Sequence, residues 1–216
     1  MKTQTNTRKL TLIAMFCALA YVVAAVGRVP VVLFLKYEPK DVIITLSGLI
    51  MGPATAMIVS VITSFVEMIS VSDTGIIGCI MNIISSCSFA CTASFIYKKK
   101  KTLAGAGIGL VTGCVVMVCL MLLWNYCITP LYMGYPREAV AELLIPAFLP
   151  FNLIKGGLNA ALTYLLYKPV INALRKTQLL PEKESKKGVV NVPLVVVSVV
   201  IIITCVLFIL SMNGII

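Results

Sequence analysis

The chain has 216 residues, of which 60% are apolar and only 12% charged, and its mean hydropathy is +1.03. This leaves too little polar surface to coat a soluble domain of this size, so the composition predicts an integral membrane protein. The sequence contains no histidine, which excludes histidine-based metal sites and proton relays. Its eight cysteines form no CxxC pair and are interpreted as packing thiols rather than metal ligands.

The net charge of +10 is distributed unevenly along the chain. Thirteen of the 18 basic residues lie in segments 1–9, 98–101 and 168–187, which alternate with apolar stretches so that they share one side of a membrane. The positive-inside rule assigns that side to the cytoplasm. The charge therefore predicts a cytoplasmic N-terminus, and nucleic acid is not expected as a partner.

Seven apolar segments follow one another along the chain. About 20 residues are needed for a helix to cross a bilayer, so the second segment is too short to cross alone and is expected to pack as a tilted or partly buried element before the Gly52-Pro53 break. We predict six core helices and a seventh at the C-terminus. The segments are residues 10–26, 41–51, 54–70, 75–97, 103–128, 143–167 and 193–212.

Helix 1 carries Ala14 and Ala18 four residues apart in its cytoplasmic half. Small residues at this spacing allow two helix backbones to approach closely in a membrane. The stripe is therefore a candidate surface for docking another membrane subunit.

The first external loop, residues 28–40, reads RVPVVLFLKYEPK and is apolar and bounded by prolines. Such a loop can act as a lid over a cavity. It can equally be a structural plug that packs over the helix ends, and the sequence leaves both interpretations open.

Polar side chains from distant segments fall at similar depths in the outer half of the predicted bundle. Lipid penalises such groups, and an ionisable one costs at least about 2.5 kcal/mol near the bilayer centre, so they should face inward and share a cavity open to the outside. Trp124, Tyr126, Met81 and Phe151 are expected nearby to cover a planar ligand. The alternative is a structural ion pair of Lys155 with Glu67 or Glu38. The polar set is Glu38, Glu67, Asn82, Asn125, Asn152 and Lys155.

The sequence offers little support for an enzyme. It has no Walker A glycine loop, no serine with a visible base and no carboxylate pair spaced for metal-assisted chemistry. It also lacks the internal repeats typical of gradient-driven carriers. We therefore predict no catalytic residue, no metal and no catalytic cofactor, and any energy for transport must come from another subunit.

Five motifs in order, LKYEPKD, LSGLIMGP, CIMNIISS, WNYCITPLYM and LPFNLIKGG, give the chain a resemblance to a known family. Over residues 10–175 it resembles the riboflavin-specific substrate-binding components (S-components) of energy-coupling factor (ECF) transporters. The resemblance implies an all-α, six-transmembrane-helix S-component bundle that captures riboflavin from outside under the first loop. FMN or a flavin analogue remains a possible ligand.

The resemblance also implies residue roles and partners. The substrate-binding positions would be Glu38, Asn82, Asn125, Asn152 and Lys155. Ala14 and Ala18 would contact the transmembrane coupling subunit, which works with two ATPase subunits, so this chain would be a transport subunit without an ATPase site of its own.

Beyond the six-helix pattern the chain continues into a hydrophobic helix. We therefore predict a substrate-binding membrane domain at 1–178, a charged cytoplasmic linker at 179–191 and an additional transmembrane helix at 192–216. The protein would be a multi-pass protein of a bacterial cell membrane with an extracellular C-terminus. Two alternatives stay open: an S-component for another vitamin or flavin analogue, and a membrane scaffold held by a buried ion pair.

Overall fold

The computed structural model describes residues 2–32, 35–71, 74–177, 179 and 192–212. Most of the predicted linker 179–191, the end of the chain after residue 212, and residues 72–73 of the second external loop lie outside these ranges. Within them the chain forms helices and one short hairpin. In order, these are α1 (Lys2–Val26), β1 (Val29–Val32), β2 (Leu35–Tyr37), α2 (Lys40–Met51), α3 (Pro53–Ser70), α4 (Gly75–Lys100), α5 (Leu103–Met133), α6 (Arg137–Leu143), a π-helical turn (Leu144–Phe148), α7 (Leu149–Lys176) and α8 (Val192–Met212).

Five helical segments of the described chain are long and apolar enough to span a membrane. The 12 residues of α2 are too few, as the sequence predicts, and Val195–Ser211 of α8 counts as a shorter apolar helix within the described chain. The predicted count of six spanning helices plus one is therefore not confirmed. The spanning segments are Thr7–Val26, Pro53–Ser70, Gly75–Lys100, Leu103–Leu131 and Arg137–Lys176.

The break between α2 and α3 is confirmed at Gly52-Pro53. Gly52 has a φ of +107°, which side chains with a Cβ rarely adopt, and Pro53 occupies the start of α3. At the turn before α5, Thr102 caps the helix by accepting a hydrogen bond from the Gly105 amide at 2.9 Å. These two local signals explain why the predicted boundaries between α2 and α3 and at the start of α5 lie close to those observed, whereas α1 begins and α7 ends about eight or nine residues beyond the predicted bounds.

The first external loop contains a β-hairpin that is not predicted from the sequence. Strands β1 and β2 are antiparallel, with Val29 opposite Tyr37 and Pro30 opposite Lys36. Val31, Leu35 and Tyr37 are buried against α7 and neighbouring segments. The apolar loop is therefore packed onto the end of the bundle.

The segment predicted as one helix over 143–167 begins earlier and is interrupted. Helix α6 occupies part of the expected external loop, and a π-helical turn precedes α7. Pro146 lies within that turn and has no N–H to donate, so it cannot take part in a regular α-helical ladder.

Small residues set the contact between α4 and α5. A Cβ placed on Gly109 would lie 2.7 Å from the Ala93 carbonyl oxygen, and one on Gly113 would lie 2.6 Å from the Phe89 carbonyl oxygen. Because the obstructing atoms belong to the backbone, neither position can hold a larger residue without moving the helices apart. The two helices are thus held in close contact in the first half of α5.

Helix α8 packs on the outside of the bundle. Ile201 and Cys205 lie against Gly157 of α7, and Ile202, Cys205 and Ile209 pack beside the cluster that contains the hairpin. Most of the described side chains of α8 are exposed or half-buried, as expected for a helix that faces lipid on its other sides.

We predict that Gly113→Ala destabilises the protein by about 1–3 kcal/mol because the added methyl group meets a backbone carbonyl of α4. The matched control is Gly107→Ala in the same helix, where a Cβ would meet nothing within 4 Å. The control should be neutral or stabilising by up to about 1 kcal/mol, since alanine favours a helix over glycine. Unfolding in detergent measures both, and equal midpoints would contradict the tight α4–α5 contact.

Candidate functional site

A cavity opens at the hairpin end of the bundle. The volume within it that the centres of water-sized molecules can occupy is about 160 Å³, and its mouth is open to solvent. Its walls come from the hairpin region and from α3, α4, α5 and α7. The lining residues are Arg28, Leu35, Lys36, Glu38, Glu67, Thr74, Met81, Asn82, Ser85, Met121, Asn125, Phe151, Asn152 and Lys155.

All five side chains predicted to bind substrate line this cavity. Glu38 follows β2, Asn82 lies on α4, Asn125 lies on α5, and Asn152 and Lys155 share one face of α7. Apart from the half-buried Asn82, each of them is at most 7% exposed. The fold therefore brings together residues that are far apart in the sequence, and their role in binding stays a prediction.

Lys155 forms an ion pair with Asp41 of α2. Its Nζ lies 3.2 Å from Asp41 Oδ2 and donates a hydrogen bond to Ser85 Oγ at 3.1 Å. The alternative pairing of Lys155 with Glu67 or Glu38 is therefore wrong. The sequence does not indicate Asp41 as the partner of Lys155, because acidic residues are common in the first turn of a helix. There they complement the helix dipole and need no distant partner.

Four other charged residues form a second group, here called the four-charge cluster: Arg28, Glu38, Lys40 and Glu67. Arg28 Nη2 lies 2.8 Å from Glu38 Oε1, and Lys40 Nζ lies 2.5 Å from Glu38 Oε2. Both cations also contact the Glu67 carboxylate. The cluster joins the end of α1, the end of β2, the start of α2 and the end of α3, so it fixes the base of the hairpin to the bundle.

Glu38 and Glu67 are predicted near the cavity from the sequence, but Arg28 and Lys40 are not identified there as their partners. Lys40 is completely buried, which a lysine tolerates only when it is paired. Burial alone would raise the pKa of Glu38, but the Lys40 and Lys155 ammonium groups and a hydrogen bond with Glu67 together outweigh burial and lower that pKa to about 2. Glu38 therefore stays ionised throughout the physiological pH range.

Hydrogen bonds within the protein leave one cavity amide able to donate to a ligand and another able to accept from it. Asn125 Oδ1 accepts from Thr129 Oγ1 at 3.0 Å, so its Nδ2 supplies the donor capacity at this wall. Asn152 Nδ2 donates to the Phe148 carbonyl oxygen at 2.8 Å, so its Oδ1 supplies acceptor capacity. The site can thus recognise a ligand that both accepts and donates hydrogen bonds.

Apolar side chains cover the rest of the cavity wall. Met81 and Phe151 line it as predicted, together with Met121. Trp124 lines a smaller adjoining pocket that shares Met81 and Thr74 with the main cavity. The prediction for Tyr126 is wrong, because its ring is 41% exposed and lies under the Arg137 guanidinium, 5.8 Å from the ring centroid.

The small-residue stripe of α1 lies away from this cavity. Ala14 and Ala18 are both exposed, while Leu12, Phe16 and Ala20 on another face of the helix are buried in the core. The alanines therefore form an open surface, and their contact with another subunit stays a prediction.

The described part of the chain contains no group of three or more histidine, cysteine, aspartate or glutamate side chains placed to hold a metal ion. All eight cysteines are free thiols and lie on helices. The cavity is thus built from amides, hydroxyls, charged pairs and apolar side chains.

Comparison with known proteins places this geometry in a family. Residues 8–167 match the family described as ECF transporter, substrate-specific component. The chain is 28% identical over 183 residues to the riboflavin transporter RibU of Staphylococcus aureus, covering 80% of this chain and 95% of that protein. It is 27% identical over 188 residues to the riboflavin transporter FmnP of Bacillus subtilis, covering 80% of this chain and 98% of that protein.

A solved structure, that of the S component of a bacterial ECF transporter, shares the fold. It superposes with a TM-score of 0.67 at 25% identity, covering 79% of this chain and 99% of that one. The predicted helical membrane fold is confirmed at this level. The match to the family covers more than half of the chain, and the chain belongs to the family of substrate-specific components of ECF transporters.

Proposed function

We propose that this chain is the riboflavin-binding S subunit of an ECF transporter, which captures the vitamin from outside and delivers it inward when coupled to an ATPase module. The observation that carries the proposal is the cavity, in which five buried or half-buried polar side chains from the hairpin region, α4, α5 and α7 meet. The names of its relatives from Staphylococcus aureus and Bacillus subtilis, both riboflavin transporters, support the choice of ligand.

The hydrogen-bonding capacity of the cavity suits a flavin. The isoalloxazine ring carries an imide N–H between two carbonyl groups, and the ribityl chain carries hydroxyls that both donate and accept. Asn125 and Lys155 supply donors, and Asn152 supplies an acceptor. Met81, Met121 and Phe151 supply apolar surface for a planar ring.

The balance of charge favours a neutral ligand. Each of the three cations Arg28, Lys40 and Lys155 already has a carboxylate partner within the described structure. Lys36 also lines the cavity, but it is half-buried, so solvent screens its charge. Phosphate sites normally direct cations or helix N-termini at the ligand, so riboflavin fits better than FMN.

The arrangement of helices supports an S-component with one addition. We infer a six-helix substrate-binding domain over 1–178, in which α1 to α5 and α7 are the core helices, followed by a cytoplasmic linker at 179–191 and an extra spanning helix, α8. The family match ends at residue 167, well before α8 begins. In this arrangement the N-terminus is cytoplasmic and the C-terminus extracellular, in agreement with the positions of the basic residues.

Transport requires partners in this proposal. A transmembrane coupling subunit would contact the exposed stripe of Ala14 and Ala18, and two ATPase subunits would supply the energy. The chain itself would act without catalysis and without an ATPase site. The small side chains of the stripe suit close approach of another membrane helix.

The ion pair between Lys155 and Asp41 is the one observation that favours a second candidate, a membrane scaffold held by that pair. A scaffold would bind no vitamin, and replacing Lys155 by methionine would then change only stability. Thermal-shift measurements with a panel of vitamins distinguish an S-component for a different vitamin from the riboflavin-binding subunit and from the scaffold.

We predict that the purified protein binds riboflavin and quenches its fluorescence. Lys155→Ala and Asn125→Ala should each weaken binding by about 1–3 kcal/mol because a polar partner on the ligand is left unpaired. Thr112→Val, on the exposed side of α5, is the control and should bind like wild type. Absence of riboflavin binding to the folded wild type would remove the proposed ligand.

We predict that FMN binds at least about 10-fold more weakly than riboflavin, since Arg28 and Lys155 are already paired with carboxylates and solvent screens the charge of Lys36. Competition between the two flavins in the fluorescence assay measures the ratio. Equal affinities would contradict the argument from charge balance.

We predict that Ala14→Trp retains riboflavin binding but abolishes assembly with the coupling subunit and uptake, because the large side chain prevents close helix approach. Val115→Trp, on an exposed position of α5, controls for the bulk of tryptophan in the membrane. Co-purification of the complex and uptake by cells measure the effect. Normal assembly of Ala14→Trp would exclude this stripe as the docking surface.

A further inference from the structure

We propose that Asp41 is a positioning residue: it fixes the Lys155 ammonium at the cavity wall and links it, through Asn159, to Tyr37 of the hairpin. The inference rests on the proposed function, because it concerns the use of Lys155 as a ligand-binding group. None of the three residues Asp41, Asn159 and Tyr37 belongs to the cavity lining. They would therefore act on the ligand only through Lys155 and the hairpin.

The Asp41 carboxylate is buried and accepts from donors on two other helices. The residue is 2% exposed at the start of α2. Its Oδ1 accepts a hydrogen bond from Ser86 Oγ of α4. Its Oδ2 lies 3.2 Å from Lys155 Nζ and 3.3 Å from Asn159 Nδ2, both of α7. Each oxygen of the carboxylate thus accepts a hydrogen bond, and these bonds fix the position of the group, here called the anchor, that pairs with the Lys155 ammonium.

This anchor determines what Lys155 can offer a ligand. An ammonium has three N–H donors on a flexible stem; Ser85 accepts one of them, and the Asp41 carboxylate holds the charge in an ion pair. The remaining donor capacity is directed to the cavity that Lys155 lines. Fixing the side chain before the ligand arrives reduces the entropy lost on binding.

Asn159 extends the anchor to the hairpin. Its Oδ1 accepts a hydrogen bond from the Tyr37 hydroxyl at 3.1 Å, and its Nδ2 donates to Asp41. Tyr37 is the last residue of β2 and directly precedes Glu38, which lines the cavity. Two hydrogen bonds therefore connect the position of the hairpin to the carboxylate that holds Lys155. A displaced hairpin would withdraw one partner from Asn159 and loosen the anchor.

The test compares riboflavin affinity and dissociation rate in four variants: Asp41→Asn, Lys155→Met, the Asp41→Asn/Lys155→Met double variant and Tyr37→Phe. Asp41→Asn should lower affinity about 10-fold or more, as expected for losing a charged hydrogen-bond partner. In the Lys155→Met background the same substitution should change affinity by less than about 2-fold, because Asp41 acts through Lys155. Tyr37→Phe should raise the dissociation rate by about 3- to 10-fold, because the hairpin loses its hydrogen bond to Asn159.

Two controls separate this role from a general effect on folding. Tyr164→Phe removes a buried hydroxyl of α7 that has no hydrogen-bond partner among the described residues, so it should bind like wild type. The double variant has neither charge of the pair, so it should unfold at a higher temperature than Lys155→Met alone, which leaves a buried carboxylate unpaired. It therefore provides a folded background even if a single variant is unstable.

The outcomes distinguish this inference from the proposed function. Wild type that binds riboflavin, with Asp41→Asn binding equally well, overturns the positioning role alone. An equal loss of affinity from Asp41→Asn with and without Lys155 also overturns it, since Asp41 would then act by another route. Failure of the wild type to bind riboflavin removes the proposed function, and the positioning role with it.

Discussion

The ion pair between Asp41 and Lys155 is the interaction on which the rest of the site depends. A lone ammonium in the apolar part of a membrane helix is costly, and it is retained only where a partner and hydrogen bonds compensate for lost water. Asp41 comes from α2, the helix that is too short to span, and it reaches α7 because α2 is packed inside the bundle. The short helix thus places a carboxylate within ion-pair distance of Lys155.

The same helices provide tight packing at one end and an open cavity at the other. Gly109 and Gly113 hold α5 against α4 in the first half of α5, whereas Asn125, further along α5, lines the cavity. At the cavity end the four-charge cluster attaches the hairpin to the bundle. The cavity is thus bounded by paired charged groups as well as by packed helices.

Depth along the predicted helices identifies a polar set that lines the cavity, but neither the partners of these residues nor the other lining residues, such as Arg28, Lys36 and Ser85. Asn152 and Lys155 share a helical face, and lipid excludes them from the outside, so their position follows from one helix alone. The pairing with Asp41 depends on how α2 packs against α7, which no sequence spacing determines. The sequence does not indicate the hairpin because the apolar residues of the loop show no clear alternation. It does not indicate the π-helical turn because the segment around Pro146 is apolar throughout and fits one continuous helix.

The position of α8 explains how a seventh helix can be added without obstructing the proposed docking surface. Helix α8 packs mainly on α7 and beside the hairpin, whereas α1 packs on α2 and α3. Ala14 and Ala18 consequently remain exposed on the inner half of α1. Because Ile202, Cys205 and Ile209 adjoin the cluster that holds Tyr37, the added helix supports the wall behind the hairpin and leaves the face of α1 open to a partner.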